Sequence, residues 1–331
     1  MLGYVVYRLL IMIPTLLTIS AVVFIIIQLP PGDFLSTKLA ELQAQGEQGA
    51  EQLDALREIY GLDKPLIEQY FNWLFGMLQG DFGYSFEYQL PVSQLVGDRI
   101  GLTVLVEIST IVFIWVVSFI IGTYAATHQY SAGDHIASFI GFIGLALPNF
   151  LLALVLLYIA NRYFGTSIGG LMDPQYIDQP WSAGKILSVA EHLVVPVIVI
   201  GTSGTAAMIR RLRANLLDEL QKQYVVTGRA KGLPPRRLLF KYPLRMAINP
   251  FIADIGNLIP EVISGSVIVA VVLSLPTTGP LLLQALRSQD MYLAGSFLMF
   301  VSLLTVFGTL VSDLALAWLD PRIRFGGGAE R

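Results

Sequence analysis

The sequence predicts an all-α integral membrane protein with six transmembrane helices, and three observations carry that prediction. Hydrophobic residues make up 54% of the 331-residue chain and charged residues only 14%, against roughly 25% charged in a soluble domain. The mean hydropathy is +0.65. The apolar residues also collect into runs that match the thickness of a hydrocarbon core, about 30 Å or some 20 helical residues.

The first run, Leu9 to Leu29, holds 21 residues without a charge. Its apolar stretch is longer than a signal peptide's and "QLPPGDF" has no small-residue cleavage site, so it reads as a retained span. Further spans are expected at Ile100 to Thr127, Ile136 to Ala160, Leu193 to Ile209, Met246 to Leu275 and Met291 to Leu319. The fourth, "LVVPVIVIGTSGTAAMI", is short and rich in small residues. Small residues let helix backbones approach closely, so this span is expected among its neighbours rather than against lipid.

Six spans leave both ends on one side, and charge selects which. Lys and Arg on the side of the termini number 14, ten of them between Arg210 and Arg245, against 7 on the other. The positive-inside rule then makes both termini cytoplasmic. The chain accordingly divides into a first helix (1–30), an external region (31–99), a transmembrane core (100–322) that includes the loop 213–245, and a cytoplasmic tail (323–331). From Pro30 to Asp98 there are 11 acids against three bases. Within that stretch "EQLDALREIY" aligns Leu53, Leu56 and Tyr60 on one helical stripe with Gly61 as a C-cap. "LIEQYFNWLFGMLQG", too short to span between Glu68 and Asp81, suits an interfacial helix on the outer leaflet.

The segment "YVVTGRAKGLPPRRLLFKYPLR", Tyr224 to Arg245, carries six Lys/Arg. Placing them at the bilayer centre would cost on the order of 15 kcal/mol or more, at about 3 kcal/mol each. It stays outside the bilayer. Such charge can serve topology and anionic lipid alone, but the segment also has a pattern. A helix continuing from the fourth span can end at Gly232, Pro234 and Pro235 turn the chain, and "RRLLFKYPLR" leads back. Helix, turn and return make a knob suited to a groove on a soluble partner.

This segment resembles the cytoplasmic signature loop of permease subunits of bacterial ABC importers, specifically the dipeptide/oligopeptide/nickel permease family. "YRLLIMIPTLLTISAVVFIIIQLPPGD" resembles that family's first span, and "LREIYGLDKPLIEQYFNWLFGMLQGDFGYSF" its external region. "ISGSVIVAVVLSLPTTGPLLLQALRSQDMYL" is similar to its fifth-span exit and "LDPRIR" to its C-terminal end. The resemblance implies a coupling helix between spans four and five that inserts into an ATPase subunit, with Thr227, Arg229, Ala230, Lys231, Gly232 and Leu233 in the signature. It implies a second homologous permease subunit, two ATPase subunits and an external substrate-binding protein, in the plasma (inner) membrane of a bacterium or archaeon. No cofactor is expected on this chain itself; ATP and Mg belong to the ATPase subunits. Gly228, Tyr242 and Pro243 stand where the family commonly has Ala, His and Ala.

Asp254, Asn257 and Glu261 recur at helical spacing in the fifth span, and Glu107 lies in the second. Ionisable groups at membrane depth point first to a solute pathway, with helix assembly as the alternative. Asp313 in the sixth span is a weaker candidate. In "GSVIVAVVLSLPTTG", Ala270, Leu273, Leu275 and Thr277 replace an acid, Phe, Trp and Gly common in peptide permeases. That departure keeps oligosaccharides open as substrates beside peptides.

Composition excludes other classes. The chain has no cysteine and three scattered histidines, hence no disulfide, thiolate site or paired-His metal motif, and it has no P-loop. With no nucleophile constellation an enzyme is not expected, and Ser203 or Ser264 read as helix-packing residues. Nucleic acid is not an expected partner. A stand-alone secondary transporter, which would show inverted repeats, is the alternative from another class.

Overall fold

The computed structural model describes residues 2–29, 63–166, 168–177, 179–253 and 255–319. The stripe Leu53, Leu56 and Tyr60 with its Gly61 cap, and the 323–331 tail, lie outside the described residues. In chain order the helices are α1 (Leu2–Gln28), α2 (Leu66–Leu78), α3 (Val92–Thr127), α4 (Ala132–Ala146), α5 (Asn149–Ile159), α6 (Ala183–Leu220), α7 (Gln223–Ala230), α8 (Pro235–Lys241), α9 (Pro243–Ala247), α10 (Asn249–Ala253), α11 (Ile255–Val272), α12 (Thr278–Arg287) and α13 (Met291–Leu319). A two-residue antiparallel ribbon, β1 (Tyr84–Ser85) with β2 (Leu90–Pro91), precedes α3.

Among the described residues four helices are long and apolar enough to cross a membrane: α1, α3, α6 and α13. A bent pair makes a fifth if counted as one span, α4 with Asn149–Phe164, turned by 100°. The expected straight third span, Ile136 to Ala160, is therefore corrected. Pro148 bars the helical conformation at the residue before it, and Leu147 is extended at φ −89°, ψ 120°. The helix restarts with Pro148 as its N-cap. The expected fifth span, Met246 to Leu275, is also not one helix, since α9, α10 and the 18-residue α11 share it.

The fourth span behaves as its small residues foretell. It lies inside the 38-residue α6, where Gly201 and Gly204 are buried. A Cβ at Gly201 would stand 2.8 Å from Phe113 Cδ1, and one at Gly204 2.9 Å from Ile114 Cδ1. Only glycine allows α3 this close.

Two compact units share the chain. One comprises residues 1–5, 104–276 and 307–331. In it α6 packs against α4, α5, α9 and α11, and Trp115 meets Phe251 edge to face at 6.2 Å between centroids. Gly170 N–H donates to Leu273 O at 2.7 Å, anchoring the segment before α6 on the end of α11.

The other unit comprises residues 6–103 and 277–306. Val23, Phe24 and Trp73 form its core between α1 and α2, joined by Tyr70, Met77 and Leu298. Tyr70 and Ser20 hydroxyls lie 2.8 Å apart. The fully buried Asp290 carboxylate accepts from Ser85 Oγ at 2.6 Å, Glu87 N–H at 3.2 Å and Leu293 N–H at 3.2 Å. It thereby fastens the ribbon to the start of α13. Burial pushes the Asp290 carboxyl above its ordinary value, against the opposing pull of those donors.

Candidate functional site: the loop between α6 and α9

Instead of one helix running from the fourth span to Gly232, the structure breaks at Gln221–Lys222. Lys222 is extended (φ −71°, ψ 149°) and caps a separate eight-residue α7. The stop after α7 is the one its glycine foretells. Gly232 sits at φ +73°, Gly232 N–H donates to Arg229 O at 2.9 Å, and Leu233 N–H to Gly228 O at 3.1 Å. These two bonds make a Schellman motif, in which glycine supplies the left-handed residue. Pro234 and Pro235 then start α8, with Pro235 at its first position. Tyr242 precedes Pro243 at φ −122°, ψ −80°, ending α8 and opening α9.

Three residues mount the loop. Val225, Gly228 and Leu238 are buried, and a Cβ at Gly228 would fall 2.5 Å from Leu238 Cδ1. The departure from Ala at this position thus brings α7 close to α8. A small cavity of about 120 Å³ remains between Leu220, Val225, Arg229, Pro235, Leu238 and Leu239. Glu219 anchors the break, accepting from Lys222 Nζ at 2.6 Å and from Tyr224 Oη. Desolvation, then the Glu219 carboxylate, raise the Tyr224 phenol above its ordinary value, so it stays a donor.

On that mount Thr227, Arg229, Ala230, Lys231 and Gly232 are exposed and Leu233 is partly buried. Among the described residues no acid pairs with Arg229, Lys231, Arg236 or Arg237. The loop therefore presents a basic, convex turn with its charge unneutralised, a surface that electrostatically suits an acidic groove.

The sequence-predicted pathway groups fare differently. Asp254 lies outside the described residues, as do the side chains of Asn257 and Glu261; those two residues sit one turn apart on α11. Glu107 Oε1 accepts from Ser266 Oγ at 2.7 Å, joining α3 to α11, while Oε2 is buried without a hydrogen-bond partner among the described residues. Sequence reasoning missed Asn149, which donates from Nδ2 to Ile200 O at 3.1 Å and to Ser203 Oγ at 3.3 Å. Its place directly after Pro148 was the available signal. Ser203 is thereby engaged in helix packing.

The substitutions read as changes at an outer gate also look different. Ala270, Leu273, Leu275 and Thr277 are all buried, so none of the four is exposed on the surface of this chain.

The comparisons with known proteins agree with this architecture. Residues 118–325 match the family described as "Binding-protein-dependent transport system inner membrane component", and residues 1–107 its N-terminal counterpart. The chain is 33% identical over 326 residues to the oligopeptide transport system permease protein AppB of Bacillus subtilis, covering 98% of this chain and 100% of the relative. It is 27% identical over 340 residues to the dipeptide transport system permease protein DppB of Escherichia coli, covering 98% and 99%. It is 30% identical over 325 residues to the glutathione transport system permease protein GsiC of Escherichia coli, covering 98% and 100%. The chain belongs to the inner-membrane permease subunits of binding-protein-dependent ABC importers. Membership implies a substrate-binding protein and ATPase partners. It decides against the stand-alone secondary transporter.

Proposed function

We propose that the chain forms one half of the peptide pathway of an ABC importer, and that its 224–245 loop receives the motion of an ATPase subunit. In this reading the helices make six crossings, with α9 to α11 supplying the fifth, and both termini and the loop are cytoplasmic. Thr227, Arg229, Ala230, Lys231, Gly232 and Leu233 contact the ATPase. A related second permease, two ATPases that carry ATP and Mg, and an external binding protein complete the assembly. Asp254, Asn257, Glu261 and Glu107 line the path.

The observation that carries the coupling role is the combination of an exposed signature with a rigid mount: five exposed residues on a Schellman turn whose inner face is buried. A lipid-binding basic segment needs charge but no fixed turn. Peptide cargo is supported by the relatives, which are named for the transport of oligopeptides, dipeptides and glutathione; they lend oligosaccharides no support.

The test uses the whole importer in proteoliposomes. Gly232→Val places a β-branched residue at φ +73°, which costs about 1–2 kcal/mol or more, and Arg229→Glu reverses the exposed charge. Both variants are expected to assemble yet hydrolyse ATP without matching uptake. Wild-type uptake per ATP in both would remove the loop from the transmission path. Calorimetric titration of the cognate binding protein with peptides and oligosaccharides tests the cargo.

A further inference from the structure

We propose that the ion pair between Asp134 and Arg213 is the joint through which motion of the 224–245 loop reaches the bent pair α4–α5, making the two residues positioning residues for transport. The proposal rests on the coupling role assigned to the loop above. Asp134, in the first turn of α4, is 2% exposed, and Arg213 on α6 is 26% exposed at its side chain. Nε donates to Oδ1 at 2.6 Å and Nη2 to Oδ2 at 2.7 Å, a bidentate geometry that fixes orientation as well as distance. Tyr130 N–H also donates to Oδ2 at 3.0 Å, and Ser131 Oγ accepts from Asp134 N–H at 3.2 Å. The carboxylate thus accepts three N–H donors from two residues, Arg213 and Tyr130, while the Asp134 backbone is capped by Ser131.

Close packing surrounds the pair: a Cβ at Gly144 of α4 would stand 3.1 Å from Thr202 Cγ2 of α6, while α3 approaches both helices, with a Cβ at Gly122 3.1 Å from Leu212 Cβ and one at Gly133 2.5 Å from the Tyr124 ring. Leu212 and Leu216, flanking Arg213, are fully buried. At the far end of the same helix Leu220 lines the cavity beneath Val225, Arg229 and Leu238. From Leu220 back to Arg213 is seven residues, about 10 Å of helix. A push on α7 or α8 is therefore delivered to the end of α6. Separating the pair would leave a buried charge uncompensated, so the start of α4 moves with α6. What yields instead is the corner at Leu147–Pro148, already turned by 100°.

The experiment takes the complete importer in proteoliposomes and compares Arg213→Lys, which keeps the charge but loses the fork, Asp134→Asn, and the exchange Asp134→Arg with Arg213→Asp. Co-purification with the ATPases reports assembly, and uptake per ATP hydrolysed reports coupling. Arg213→Lys is expected to assemble normally and lose roughly 5-fold or more in uptake per ATP, the usual size of a coupling between sites. The charge exchange is expected to recover part of what Asp134→Asn loses. An unchanged ratio in Arg213→Lys overturns the proposal, and so does failed assembly of that variant, since the pair would then serve folding. Gly232→Val in parallel separates the two ideas: if it is uncoupled while Arg213→Lys is not, only the joint falls; if it stays coupled, the loop's role falls first.

Discussion

Gly228→Ala tests the mount of the loop by adding a single methyl group. The new Cβ would lie 2.5 Å from Leu238 Cδ1, 3.4 Å from Leu233 Cδ1 and 3.8 Å from Leu238 Cδ2. Ordinary contact starts near 3.5 Å, so Leu238 must retreat by about 1 Å, and it is buried with little room to do so. Overpacking of this kind costs about 1–3 kcal/mol. Against that, Ala favours a helix interior over Gly by about 1 kcal/mol. The sum is a destabilisation of about 0–2 kcal/mol in the wild-type background. With Leu238→Ala the obstacle is gone, and the same substitution should stabilise α7 by about 1 kcal/mol. The expected signature is a change of sign, a coupling energy of about 1–3 kcal/mol between positions 228 and 238. Hydrogen exchange of the α7 amides in lipid nanodiscs reads the local opening free energy in all four variants. Equal effects of Gly228→Ala in both backgrounds, within about 0.3 kcal/mol, would refute the packing argument.

The unit that carries the ribbon supplies two more predictions. Because its folded value is raised, Asp290 binds its proton more tightly folded than unfolded. Its contribution is therefore full below the ordinary carboxylate range, near pH 4, and declines as pH rises through the raised value. Exchange at the Glu87 amide, corrected for intrinsic rates, should show protection falling from pH 4 to 7 in the wild type and a flatter profile in Asp290→Asn; protection rising with pH would contradict the assignment. Gly83 is at φ +80°, and a Cβ there would lie 2.3 Å from Tyr292 Cδ1. Left-handed strain of about 1–2 kcal/mol and overpacking of about 1–3 kcal/mol predict that Gly83→Ala costs about 2–5 kcal/mol in thermal unfolding. A loss under about 0.5 kcal/mol would mean the ring gives way freely.

Much of the architecture was legible because it is written in local chemistry. The last helix runs from Met291 to Leu319, as its apolar run predicts, and the Gly232 stop and the close packing of α6 follow from residue type alone. The corner at Leu147 was also legible in principle: the residue before a proline avoids helix, but an apolar run of span length outweighed that signal. What could not be read is what joins distant sequence. Asp134 and Arg213 are 79 residues apart, and Ser85 and Asp290 205; neither spacing has a period. The burial of Ala270, Leu273 and Leu275 is of the same kind, since sequence gives their type but not the neighbours that bury them.

The two ends of the burial scale among the crossing helices bear on how the protein can be handled. Only 17% of the apolar window of α1 is buried, against 39% for α6. α6 is held by van der Waals contact with other helices, which survives a change of surrounding hydrocarbon. The rest of this chain leaves most of the α1 surface uncovered. A preparation that keeps native lipid and partner subunits therefore preserves surroundings on which α1 depends more than α6 does.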